Sequence, residues 1–176
     1  MMTRKAEKSA RGTVRNGLLA ATCALGLASL AQFSSAYAEA PQLPTRPVLT
    51  LDVAQRIANA ALKQAEAQHT PGVIAVVDDA GEVIVQIRMD HPFMRSSATL
   101  APAKARSAVM FRRPTGVMES AIAGGRPALL SAQGFVMMKG GEPIFVNGEL
   151  VGGIGVSVDT PDHDEQIAQA GLAVVK

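Results

Sequence analysis

Ala54, Ile57, Ala58, Ala61 and Ala65 recur at the three- and four-residue spacing of one helix face. Thr50 precedes them as a natural N-cap and Asp52 falls in the first turn, where the helix dipole favours an acid, so a helix is predicted over residues 51–67. The period then changes. Residues 72–77 form a short apolar run, while Val83, Val85, Ile87 and Met89 alternate with Glu82, Gln86 and Arg88, which predicts two strands. Asp78, Asp79, Ala80 and Gly81 between them suit a tight turn, and turn formation accounts for the paired carboxylates better than acid–base chemistry does.

A second helix is predicted over residues 99–112, where Ala101, Ala105, Ala108 and Phe111 share a face. Pro102 is placed in its first turn, where N–H groups lack intrahelical partners. Pro114 disfavours the helical conformation at Arg113, so a shorter third helix starts near Thr115 and stops at Gly124 and Gly125. Three strands follow, at 135–139, 143–147 and 149–158, with Gly140-Gly141 and Asn147-Gly148 as their joints. Alternation in the last puts Leu150, Gly152, Ile154, Val156 and Val158 on one face. Gly153, Gly155 and Ser157 fall on the other, where missing side chains let a helix, subunit or ligand approach. The final helix opens with Thr160 as N-cap and Pro161 at its first position, and Ile167, Ala168, Gly171, Leu172 and Val175 form its stripe. The predicted order is αββααβββα. Hairpin loops this short cannot make parallel crossovers, so the class is α+β, with a five-stranded antiparallel sheet flanked by helices.

The first residues change the charge picture. Arg4, Lys5, Lys8, Arg11 and Arg15 precede an apolar stretch over residues 17–31 and then Ala36-Tyr37-Ala38, the layout of a secretory signal peptide. Residues 1–38 are therefore expected to be cleaved, residues 39–49, with three prolines, to form an extended leader, and residues 50–176 to fold as one domain. The chain carries a formal charge of +2, but the 138 residues after the cut hold 12 basic and 14 acidic side chains, a charge of −2. That removes the electrostatic basis for nucleic-acid binding. No apolar run is long enough to span a membrane after cleavage, and localisation in the periplasm or outside the cell is expected. Cys23, the single cysteine, lies in the leader's apolar stretch, so disulfides and thiolate metal sites are excluded from the processed protein.

The mature chain resembles the GlcG/HbpS family, which also occurs as the C-terminal domain of PduO-type proteins. The resemblance rests on LTLDVAQRIANAAL, the hairpin IAVVDDAGEVIVQIRMD, the Lys104-Ala105 helix with FRRPT, GGEPIFVNGELVGGIGVSV and TPDHDEQIAQAG, in that order. It implies a profilin-like arrangement of the sheet, self-association into a homo-oligomer, and haem binding linked to haem handling or sensing in an exported, non-catalytic protein. It supplies no catalytic motif and no axial ligand. His91 stands where many relatives have a small residue, so a ligand role would be a feature of this chain.

The residues after position 38 offer three His, six Met, no Cys and no Tyr as iron ligands. His91 is the best placed, on a loop after the second strand with the thioethers of Met89 and Met94 nearby. Arg88, Lys104, Arg112 and Arg113 are candidate propionate partners, and Phe93 and Phe111 candidate covers for the porphyrin face. The competing view makes His91 a solvated loop residue and Met89 a core side chain. His69 is explained by the dipole at the end of the first helix, and His163, within Asp162-His163-Asp164-Glu165, by capping of the last. Gly152-Gly153-Ile154-Gly155 lacks the strand–helix context of a dinucleotide loop. The alternative function is an accessory protein or enzyme of small organic-acid catabolism that binds an anionic small molecule.

Overall fold

The computed structural model describes residues 42–175; the expected signal peptide and its cleavage site lie outside them. The elements are α1 (Leu51–Ala67), β1 (Val73–Asp78), β2 (Val83–Arg88), α2 (Ser97–Phe111), α3 (Thr115–Ala123), a 3₁₀ turn (Pro127–Ser131), β3 (Gly141–Val146), β4 (Glu149–Ser157) and α4 (Pro161–Leu172). The four strands form one sheet in the order β2-β1-β4-β3, and every neighbouring pair is antiparallel. The α+β class stands, but the sheet has four strands rather than five. Residues 135–139 pair with no strand. Val136 N–H donates to Ser107 Oγ at 2.8 Å and Lys139 N–H to Glu119 Oε2 at 2.6 Å, so side chains of α2 and α3 take up the donors a ladder would have used.

Helices cover both faces. On one, the predicted α1 stripe of Ala54, Ile57, Ala58, Ala61 and Ala65 joins Ile74, Val76, Ile144, Ile154 and Val156 of the sheet and Ile167, Ala168 and Leu172 of α4 in the main core. On the other, Val73, Ala75 and Val77 meet Ala101, Ala105 and Val109 of α2. Because β1 is buried on both sides it reads as an unbroken apolar run, whereas β2 at the sheet edge alternates only from Val85 on: a register shift skips Ile84, which packs on the core, and leaves Val83 exposed, off the predicted face.

The glycines of β4 set the distance of α2 from the sheet. A Cβ at Gly155 would run into the carbonyl oxygen of Ala101 and stand 2.6 Å from Ala105 N, and one at Gly153 would meet Val109 Cγ2 at 2.7 Å. Helix packing therefore explains the predicted small-residue face. The alternation does not run through the whole strand, however. Ile144 pairs with Gly152 but Phe145 with Leu150, so Val151 is an extra residue in a bulge. The phase shift turns Val151 into the main core and leaves Leu150 against Val77, Ala105 and Val109, on the face opposite to the one expected.

Helix α2 begins two residues earlier than predicted, which puts Pro102 inside it rather than in the first turn. A proline there cannot donate to the carbonyl four residues back. Gln86 Nε2 of β2 donates to that carbonyl, Ala98 O, at 3.1 Å instead. Helices α1, α2 and α3 all end in the same pair of backbone bonds, with His69, Arg112 and Gly125 in the left-handed region at φ 55°, 53° and 97°. His69 is thus a stop residue of α1. Thr160 Oγ1 caps α4 by accepting from His163 N at 3.3 Å, as the sequence predicts.

Candidate functional site

The sequence-predicted residues fall into three places along α2. The first is the loop after β2. Its backbone is tied down by Met89 N–H to Gly72 O at 3.0 Å and Phe93 N–H to Pro71 O at 3.2 Å, and it enters α2 through Ser97 N–H to Met94 O at 3.3 Å. Between these ties His91 sits in the left-handed region at φ 52°, a conformation histidine tolerates better than most residues, and is exposed. Phe93 next to it is 71% exposed, far more than a large aromatic ring ordinarily is. Arg88 and Arg95 flank the loop, both exposed and, among the described residues, without an acidic side chain in ion-pair range. Met94 is half-buried. Met89 turns inward: it packs against the main core, and Gly72 N–H points at its sulfur at 3.5 Å.

The second place is the interior. Lys104 is 1% exposed, and its ammonium donates to Asp164 Oδ2 at 2.6 Å and to Val156 O at 3.1 Å. Asp164 Oδ1 in turn accepts from Val158 N–H at 2.6 Å, so the pair stitches α2, β4 and α4 together. Burial pushes the Asp164 carboxyl up, against the pull of the Lys104 charge. A lysine so engaged has no ammonium to offer a propionate, so the structure places Lys104 in the interior and not among the propionate partners expected of it. The sequence gives no hint of this, because a lysine on a predicted helix is normally a surface residue.

The third place is the far end of α2, about 21 Å from its start at helical rise. Phe111 lies there, packed edge-on against Phe135 with centroids 5.1 Å apart at 84°. It lines a cleft of about 220 Å³ with Arg113, Val117, Met118, Arg126 and Leu129. Phe111 therefore belongs to a different surface from His91, and the candidate cofactor residues His91, Met89, Met94, Arg88, Lys104 and Phe111 do not converge on one place. Arg112 is also at this end, its guanidinium 5.7 Å from the Phe145 ring centroid.

Near α4, Lys139 reaches Asp162 at 2.9 Å and Glu165 at 3.2 Å, and His163 Nδ1 lies 2.8 Å from Asp159 Oδ1. The hydrogen bonds that the Lys139 ammonium donates to Asp162 and Glu165 raise it above its ordinary value, and the contact with Asp162 holds that carboxyl below the usual carboxylate range. Among the described residues no group of three or more His, Cys, Asp or Glu side chains is arranged to hold a metal ion. Sequence reasoning missed the cleft and Arg126 within it. The signal available was the repeated helix-stop pattern around Arg113 and Arg126, which places each at a helix end; that both line one cleft is seen only in the fold.

A family model described as haem degrading protein HbpS-like matches residues 49–173. Protein GlcG of Escherichia coli K12 is 33% identical over 115 residues, which cover 65% of this chain and 85% of GlcG. A solved double mutant of HbpS from Streptomyces reticuli has a TM-score of 0.72 at 34% identity, covering 81% of this chain and 97% of that one. The solved PduOC complex with haem has a TM-score of 0.67 at 27% identity, covering 74% and 96%. The chain belongs to the HbpS-like family.

Proposed function

We propose, from that membership and from the loop after β2, that this protein is an exported, non-catalytic haem-binding protein that works in haem handling or sensing as a homo-oligomer. The observation that carries the reading is His91, exposed and in the left-handed backbone region beside an exposed Phe93, in a chain whose solved relatives include a haem complex. An exposed imidazole, an uncovered aromatic ring and guanidiniums with no acidic partner among the described residues are the groups that bound haem requires: an iron ligand, a surface for the porphyrin face and partners for its propionates. In this reading His91 holds the iron, Phe93 lies against the ring, Arg88 takes a propionate, and Met94 lines the side nearest α2. Met89 and Lys104 keep their places in the interior, and Phe111 belongs elsewhere. Haem would supply its own redox and ligand-binding chemistry; the protein's part is to seat it and, through a second subunit, to cover its open face.

Hemin titration of the mature protein tests this. The processed chain has neither Trp nor Tyr, so bound haem dominates its ultraviolet-visible spectrum. A saturable Soret change is expected, and His91→Ala should alter the bound spectrum while His69→Ala leaves it as it was. Absence of saturable binding in any assembly state removes haem from the function, and identical spectra for the two variants remove His91 from the iron.

A further inference from the structure

We propose that the cleft at the far end of α2 is a second, separate site, which binds a small carboxylic acid with an apolar body. Its apolar lining comes from Phe111, whose ring packs edge-on against Phe135, with Val117, Met118, Ala121 and Leu129. Two arginines line it, Arg113 from the end of α2 and Arg126 from the end of α3. Both are anchored in the same way. Arg113 N–H donates to Ala108 O at 3.1 Å and Arg126 N–H to Ala121 O at 2.9 Å, the long bond of the helix-ending motif in each case. Those bonds fix the two backbones and also occupy carbonyls that would otherwise repel an anion at a helix C-terminus.

Among the described residues neither arginine has an acidic side chain in ion-pair range. Glu119, the one acid on α3, has its carboxylate engaged by Lys139 N–H at 2.6 Å. Complementing the helix dipoles accounts for a cation at each helix end, but not for both arginines lining one cleft whose other residues are apolar. Size narrows the ligand. At about 220 Å³ the cleft is smaller than the roughly 300–1,000 Å³ of sites that enclose drug-sized ligands, so it suits a compact acid rather than a porphyrin. A carboxylate can bridge the guanidiniums while its apolar body lies on Phe111 and Met118.

Methionine-methyl NMR of the mature protein provides the test, because Met118 lines the cleft and is only 2% exposed. Benzoate and isovalerate serve as probes, with benzyl alcohol as the neutral control. A saturable shift of the Met118 methyl signal is expected with at least one acid, at least about tenfold weaker with the alcohol, and weakened about tenfold in Arg113→Gln and in Arg126→Gln, as loss of a charged hydrogen bond implies. Both variants keep the backbone bonds of the helix ends, and the remaining methyl signals report that the fold is retained. No saturable shift with either acid at about 20 mM, well beyond millimolar affinity, overturns the proposal, as does equal binding of alcohol and acid or indifference to both arginine changes. A hemin titration of the Arg113→Gln/Arg126→Gln double variant keeps the two sites apart. Unchanged hemin binding supports a separate acid site; its loss gives the cleft to the porphyrin and overturns the small-acid reading.

Discussion

Lys139 joins the loop before β3 to the first turn of α4, and its neighbours report the contact through their titration. Asp162 is exposed, and its hydrogen bond to Lys139 depresses its folded-state pKa below the ordinary 3.8. A depressed carboxylate contributes stability that is present above the unfolded-state value and is lost as pH falls through the folded-state value. Lys139→Met should therefore move the NMR titration midpoint of the Asp162 carboxyl upwards, towards its ordinary value, with little effect above neutral pH. An unchanged midpoint would show that the ion pair does not persist in solution. Residues of this kind were only partly legible beforehand. The sequence marks Asp162 as a first-turn acid of α4, but its partner lies 23 positions away, and a pairing at that range is decided by the packing of α4 against the sheet. The same holds for Lys104 and Asp164, separated by 60 positions.

At the level of elements, α2 shows how one irregularity is answered from outside the helix. Pro102 leaves Ala98 O without its helical donor, and Gln86 of β2 supplies one. Gln86→Leu should cost about 1 kcal/mol in urea denaturation, the usual worth of a neutral hydrogen bond. In a Pro102→Ala background the helix regains its own N–H, so the same change should cost markedly less; equal costs in both backgrounds would mean that the Gln86 contact compensates for nothing. The segment at residues 135–139 teaches the converse lesson. Its apolar residues and flanking glycines satisfy every local rule for a strand, yet a strand exists only if a neighbour has a free edge in register. Here Ser107 and Glu119 claim its N–H groups first. The bulge at Val151 is also invisible locally, since nothing in the alternation of β4 announces where the phase shifts.

For the whole molecule, the compact unit begins at Thr45, a few residues beyond the proposed cleavage point, and the family match begins at residue 49. Expression in a bacterium with an intact export pathway should yield a periplasmic product whose intact mass corresponds to a chain starting at Glu39. A product that keeps residues 1–38, or one confined to the cytoplasm, would remove export from the proposed function and leave the haem reading to stand on its loop alone. The two proposed sites lie at opposite ends of α2, so the protein can be probed at either without disturbing the other.

What the sequence determined by itself was everything governed by neighbours a few residues apart. The α1 stripe, the Asp78 turn, whose side chain accepts from Ala80 N–H and Glu82 N–H, the Asn147-Gly148 hairpin and the Thr160 cap all follow from local periodicity and backbone preference. The tertiary structure alone decided which apolar segment found a pairing edge, which lysine was drawn into the core, and which candidate ligands shared a surface. Those outcomes depend on free energies of burial and pairing between segments tens of residues apart, and a helix about 21 Å long is enough to carry Phe111 away from His91 however plausible their partnership looks along the chain.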